Sequence, residues 1–236
     1  MITFKLDEII LYEDNHIIIL NKPSGLLSIE DGYDVNQKNL RTILRDFYGS
    51  IWAVHRLDKN TSGAIIFAKD KTSHQILNQM LESHEITKNY RGIVNGIPVW
   101  NYFEINLPLR IDGDKYHRTV IDLVNGKAAS TRFSTLLRWD YNSYLDIFPK
   151  TGFRHQIRAH LSAAGFPILN DGLYWRCCKL SKHEDSKNQP AINNYYLHAY
   201  SLKFFHPISN KLLTIIAPLP FSFSKKLSLH KHIKRC

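Results

Sequence analysis

Apolar positions along the chain switch between a two-residue and a three-to-four-residue repeat, and the switches predict a protein of mixed strands and helices. Ile9 to Tyr12 and His16 to Leu20 are short, β-branched-rich runs on either side of Glu13-Asp14-Asn15, which predicts two strands joined by a turn. Asn21-Lys22-Pro23-Ser24-Gly25 follows as a turn with Lys22 at the strand end. Gly32-Tyr33-Asp34 is a polar loop. Leu40, Ile43, Leu44 and Phe47 then keep helical spacing, with Gly49 as the stop and Arg41 and Arg45 off the apolar face. Ile51 to Val54 and Ala64 to Ala68 read as buried strands. Asp70 or Thr72 caps a helix with Ile76, Leu77, Met80 and Leu81 on one side. Ile86 to Gly96 reads as a strand.

The second half continues in the same alternation. Strands are expected at Phe103 to Leu107, Arg118 to Leu123, Ala128 to Leu137 and Tyr144 to Phe148, with turns at Asp112-Gly113-Asp114 and Asn125-Gly126. Lys115, His117, Arg118 and Lys127 make the hairpin tips basic. Ile157, Leu161 and Ala164 predict a helix over 153–165 closed by Gly165, on which Arg154 and Arg158, four apart, share a face. Residues 176–194 read as a surface loop. Leu197 to Pro207 and Lys211 to Ala217 form a last hairpin, and 221–236 is a basic tail. The pattern predicts an α+β class.

One polar cluster interrupts this apolar scaffold. His55-Arg56-Leu57-Asp58-Lys59-Asn60-Thr61-Ser62-Gly63 lies between two core strands. Asp58 is its one acid, flanked by His55, Arg56 and Lys59, and nearby cations keep a carboxylate ionised. Such a group is a nucleophile or a general base. The same residues also suit a plain strand-turn-strand in which Asp and Thr-Ser-Gly make the turn.

Composition narrows the choices. The chain has 236 residues, 44% hydrophobic and 22% charged, enough to bury a sizeable core. A net charge of +10 points to a polyanionic partner, nucleic acid before an anionic membrane. No run nears the roughly 20 apolar residues of a membrane helix, and the N-terminus lacks a signal layout. Three cysteines make no disulfide framework, so a cytoplasmic protein is expected. His230, His232 and Cys236 lack a fourth ligand at useful spacing, and no metal is expected.

The nine-residue cluster resembles the H-R-L-D-x-x-T-S-G signature of the RluA-type RNA pseudouridine synthases. Other stretches resemble that family's segments in the family's order. They are Asn21 to Gly25 (K-P-x-G), Lys88-Asn89-Tyr90 (K-x-Y), Thr151 to His160 (T-G-R-x-H-Q-I-R-x-H), Asp171 to Tyr174, and Leu197 to Pro207. Phe153 stands where the family has Arg, and Asn170 where it has Gly. The resemblance covers about Leu11 to Pro218.

What the resemblance implies is an isomerase that extrudes a uridine from tRNA or rRNA and turns it into pseudouridine without cofactor or metal. Its fold would be a mixed, mostly antiparallel sheet flanked by helices, with a central RNA-binding cleft. Asp58 would be the catalytic residue, Arg158 its ion-pair partner and Tyr90 the residue at the target base. Arg56, His55, Lys22, Arg154 and His155 would contact RNA, with Arg56 taking part in displacing the nucleotide. The 21 residues before Lys22 are too few for the family's S4 domain, so a single catalytic domain over 1–236 with its core at about 11–218 is expected. A monomer is the working expectation. An RNA-binding factor on the same scaffold is the alternative. A glycoside hydrolase ranks last, since two acids flanking one bond are the norm there and the cluster holds one.

Overall fold

The computed structural model describes residues 5–30, 37–175 and 194–233, with side chains to 228. The expected loop at 32–34, residues 176–193 of the loop expected over 176–194, and all three cysteines lie outside the described residues. After a short 3-10 turn, the elements run β1 (Ile10–Glu13), β2 (Ile17–Lys22), α1 (Leu40–Tyr48), β3 (Trp52–Ala53), β4 (Ser62–Ala68) and α2 (Lys71–Glu82). There follow β5 (Thr87–Asn95), β6 (Tyr102–Ile105), β7 (Leu109–Arg110), β8 (Val120–Ile121), β9 (Thr131–Trp139) and β10 (Asn142–Pro149). The chain ends with α3 (Gln156–Ala163), β11 (Leu197–Phe205), β12 (Leu212–Ile216) and α4 (Phe221–Ile233). Two compact units divide these elements, Met1–Lys88 with His198–Leu219, and Asn89–Leu197 with Pro220–Cys236.

In the first unit β4 is the central strand, and all seven of its residues are buried. It pairs antiparallel with β2 and β3, while β11 runs parallel to it through His198–Ser62 and Ala199–Gly63. β1 extends the sheet beyond β2, and β12 beyond β11. α2 is capped by Asp70, whose carboxylate accepts the Ser73 amide at 2.8 Å. Its Leu77 and Met80 join Ile17, Ile19, Ile66 and Phe204 in one apolar core, as the spacing predicts. α1 buries Leu40 and Leu44, but Phe47 at the helix end is 68% exposed.

The second unit carries β5, β10, β9 and β6 as an antiparallel series, with β7 and β8 as a separate pair. The mostly antiparallel α/β architecture matches the expectation. Four local details differ. The expected strand from Arg118 to Leu123 shrinks to Val120–Ile121, and the two-residue β7 was not foreseen.

The predicted helix over 153–165 starts only at Gln156, because His155 sits in the left-handed region at φ +57°. The Gln156 side chain reaches back to accept the Phe153 amide at 3.1 Å and so fixes this start. Arg154 therefore precedes the helix and does not share a face with Arg158. The expected basic tail forms α4, anchored by buried Phe223, whose ring meets Tyr196 at 5.2 Å.

Candidate active site

The H-R-L-D stretch is the loop between β3 and β4, and residues 22–28 hold it by its backbone. The Lys22 ammonium donates to the carbonyls of Pro23 (3.0 Å), Leu26 (2.7 Å) and Lys59 (3.1 Å). Ser24 Oγ donates to the Asn60 carbonyl at 2.8 Å, and the Gly25 amide to Lys59 at 2.8 Å. Ser28 Oγ donates to the Leu57 carbonyl (2.9 Å) and accepts the Leu57 amide (3.1 Å). The K-P-S-G turn is thus a bracket around residues 57–60.

This corrects the expectation that Lys22 binds RNA, for its side chain is wholly buried and its three donors meet three carbonyls. Burial pulls its pKa down to about 7, and the charge of Asp58 pushes it back up. Three acceptors for three donors is the arrangement an ammonium needs, so we take the charged form as the one this pocket holds.

The far end of the loop is fixed by β11. Ser62 Oγ meets His198 Nδ1 at 2.8 Å, and His198 Nε2 meets the Ala217 carbonyl at 3.2 Å. That pattern is a neutral imidazole with its hydrogen on Nε2, and burial pushes its pKa down to about 4. Gly63 adopts φ +113°, and a β-carbon there would stand 2.2 Å from the Ala199 carbonyl oxygen. Ser62 and Gly63 are therefore scaffold, as the plainer sequence reading allows.

On this frame Leu57 points into the core, Asp58 is half-buried, and Arg56 and Lys59 are exposed. His55 Nε2 accepts the Ile66 amide at 3.2 Å, and its pKa is pushed down to about 3 by burial first and by the Lys88 charge second.

In the second unit α3 carries Arg158, which is buried. Its Nε and Nη2 donate to the two carboxylate oxygens of Asp171 at 2.6 and 2.9 Å. The rings of Tyr174 and Tyr195 lie 4.8 and 4.5 Å from the guanidinium carbon. The sequence reading asked for a negative partner for Arg158 and missed Asp171, whose only signal was its place in the Asp171 to Tyr174 segment. Arg154 pairs instead with Asp112 at 2.8 Å, and His155 Nδ1 lies 3.2 Å from the Tyr174 hydroxyl.

Phe153 packs against the cluster of Leu109, Ala129, Ala159 and Tyr174. Asn170 takes φ +65°, which asparagine tolerates better than most residues, so the replacement of glycine there costs little. Tyr90 lies on β5 opposite Ile147, half-buried against that unit's apolar core.

Comparison with known proteins gives this geometry a family. Residues 16–163 match the model of a family described as RNA pseudouridylate synthase. The chain belongs to the RluA-type RNA pseudouridine synthases. The dual-specificity RNA pseudouridine synthase RluA of Haemophilus influenzae is 36% identical, over 90% of this chain and 93% of that protein. Ribosomal large subunit pseudouridine synthase C of Buchnera aphidicola (subspecies Baizongia pistaciae) is 37% identical, over 94% of this chain and 70% of its own length. Human RNA Pseudouridylate Synthase Domain Containing 1 shares the fold, with a TM-score of 0.73 at 22% identity over 94% of this chain and 87% of that one. RluA-type synthases are isomerases, and this chain keeps every fixed position of their H-R-L-D-x-x-T-S-G signature on a loop braced from two sides. Among the described residues no group of three or more His, Cys, Asp or Glu is placed to hold a metal ion, and no helix is long and apolar enough to cross a membrane.

Proposed function

We propose that this chain isomerises uridine to pseudouridine at specific positions of a tRNA or ribosomal RNA, with Asp58 as the catalytic carboxylate. In that reaction the bond from C1′ to N1 of the base breaks, the uracil turns, and a bond from C1′ to C5 forms. The C5 proton is lost and N1 regains one, so nothing is oxidised and nothing leaves. Asp58 acts at the uridine as nucleophile or in proton transfer. Arg56, exposed beside it, fills the place of the extruded nucleotide, whose unstacking costs roughly a few kcal/mol. Tyr90 and Arg158 are the further catalytic residues of this reading. His155 and Arg154 hold RNA backbone.

The observation that carries this reading is the match, over 90% or more of this chain, to relatives named as pseudouridine synthases, with the signature aspartate intact. The test is pseudouridine mapping of tRNA and ribosomal RNA fractions incubated with the purified protein. New pseudouridine at defined uridines is expected with wild type. RNA binding without any new pseudouridine would favour an RNA-binding factor instead.

A further inference from the structure

Helix α3 is buried on nearly every side, and different forces hold its faces. Ile157 and Leu161 join Phe133, Leu145 and Ile147 in one apolar core. Apolar contact is non-directional, so it sets how deep the helix lies and leaves its rotation loosely fixed. Arg158 and Ser162, one turn apart, meet the 171–174 segment. Arg158 does so through Asp171, and Ser162 Oγ donates to the Tyr174 carbonyl at 3.0 Å. Gln156 and His160 each stand two residues from Arg158, about 200° around the helix, on the face turned away from it.

Those two residues are joined through Thr131, the first residue of β9, and the direction of each hydrogen bond follows. Gln156 Oε1 accepts from the Phe153 amide at 3.1 Å and from Thr151 Oγ1 at 2.8 Å. Its Nε2 donates to the Ser130 carbonyl and to Thr131 Oγ1, both at 2.9 Å. His160 Nε2 lies 3.0 Å from the Leu107 carbonyl, which can only accept, so that nitrogen carries the hydrogen. Burial pushes the His160 pKa down, with the Leu107 bond opposing, so the ring is neutral and Nδ1 offers a lone pair. Thr131 Oγ1, 2.9 Å from Nδ1, is therefore the donor there. One ordered chain runs from the Gln156 amide through the Thr131 hydroxyl and the His160 ring to Leu107. Its three side chains are at most 3% exposed, and every polar atom in them has a partner.

We propose that Gln156, Thr131 and His160 are positioning residues for the isomerisation, whose hydrogen bonds fix the rotation of α3 and so aim Arg158. This rests on, and deepens, the reading of Arg158 as a catalytic residue of a uridine isomerase. Hydrogen bonds weaken steeply when bent, so two of them one turn apart resist the roll that the apolar face permits. A catalytic group has to be held to about 0.5 Å and 10–20°, and any roll of α3 carries Arg158 with it.

The test uses the full chain with Thr131 replaced in two ways. Thr131→Val keeps the shape and loses the hydroxyl, and Thr131→Ser keeps the hydroxyl and loses the methyl. Single-turnover pseudouridine formation, in the RNA that wild type modifies, should fall about 10- to 100-fold in Thr131→Val with RNA affinity unchanged. It should stay near wild type in Thr131→Ser. Melting temperatures are measured beside the rates. A merely structural Thr131 would make the rate follow the melting temperature, whereas here it follows the hydroxyl. An NMR spectrum of the arginine Nε–H groups gives a readout independent of catalysis. The Arg158 signal, assigned by its loss in Arg158→Lys, should shift in Thr131→Val and hold its place in Thr131→Ser. Equal rates for wild type and Thr131→Val, a Thr131→Ser as slow as Thr131→Val, or an unmoved Arg158 signal overturns the proposal. If Thr131→Val does not fold, His160→Phe, which cuts the chain one bond further on, is scored the same way. No pseudouridine from wild type, with the Arg158 signal shifting as stated, sinks the isomerase reading and leaves the clamp on α3 standing. An unmoved signal beside normal pseudouridine formation sinks the clamp alone.

Discussion

At the scale of single residues, buried polar groups with matched partners hold the catalytic loop. Lys22 is the clearest. Replacing it by Met would take one donor from each of three carbonyls, of which that of Lys59 keeps the Gly25 amide, at about 1–3 kcal/mol for each left without a partner. The expected result for Lys22→Met is a lower melting temperature and a reduced kcat, with KM for RNA little changed. A raised KM with normal stability would return Lys22 to RNA binding.

His198 and His55 set a pH dependence. Both are neutral in the fold, with pKa values pushed down to about 4 and about 3, while an unfolded histidine titrates near 6.5. As pH falls below about 6.5 the unfolded chain takes up protons first, so stability is present above that value and is lost toward the folded pKa values. The loss is up to about 2 kcal/mol apiece at pH 5. Melting curves at pH 7 and pH 5 check this, and His198→Gln should be less stable but flatter in pH. Residue roles were the least legible part of the sequence. Lys22 looked like a solvated or RNA-facing cation because a side chain's burial depends on which backbone wraps it, and part of that backbone, the Lys59 carbonyl, comes from far along the chain.

At the scale of elements, strand positions were read well and strand partners were not. Apolar alternation located β2, β4, β9, β10 and β11, because each has one or two buried faces. Periodicity carries no signal for the parallel pairing of β4 with β11, which joins Ser62 to His198 across 136 residues. The Thr-Ser-Gly and Leu-His-Ala segments explain each other only once they are adjacent. Gly63→Ala tests that adjacency. A β-carbon would meet backbone at 2.2 Å, at φ +113°, so a loss of about 3 kcal/mol or more is expected in denaturant melts. Full stability in that variant would contradict the close approach. Helix α3 was located by its apolar residues but misjudged at its start, since a left-handed His155 has no periodic signature. Its Arg158 meets Asp171, and Arg158→Ala should cost about 3–5 kcal/mol by leaving that buried carboxylate with two backbone amides but no counter-ion. The double variant with Asp171→Ala should regain part of it. Additive losses in the cycle would argue against the pair.

At the scale of the whole molecule, a net charge of +10 agrees with a polyanionic substrate, and family membership turns that inclination into RNA. The family was legible because its motifs are short, ordered and rich in residues that chemistry constrains. The fold followed from it more surely than from periodicity, which leaves topology open. The central claim is that Asp58, presented by a loop whose backbone Lys22, Ser24, Ser28 and β11 hold still, reacts with a uridine. The most direct measurement is single-turnover pseudouridine formation by Asp58→Asn, in the RNA that wild type modifies, with RNA affinity measured alongside. The account predicts no detectable pseudouridine at near wild-type affinity and stability. Turnover near the wild-type rate in that variant would contradict it.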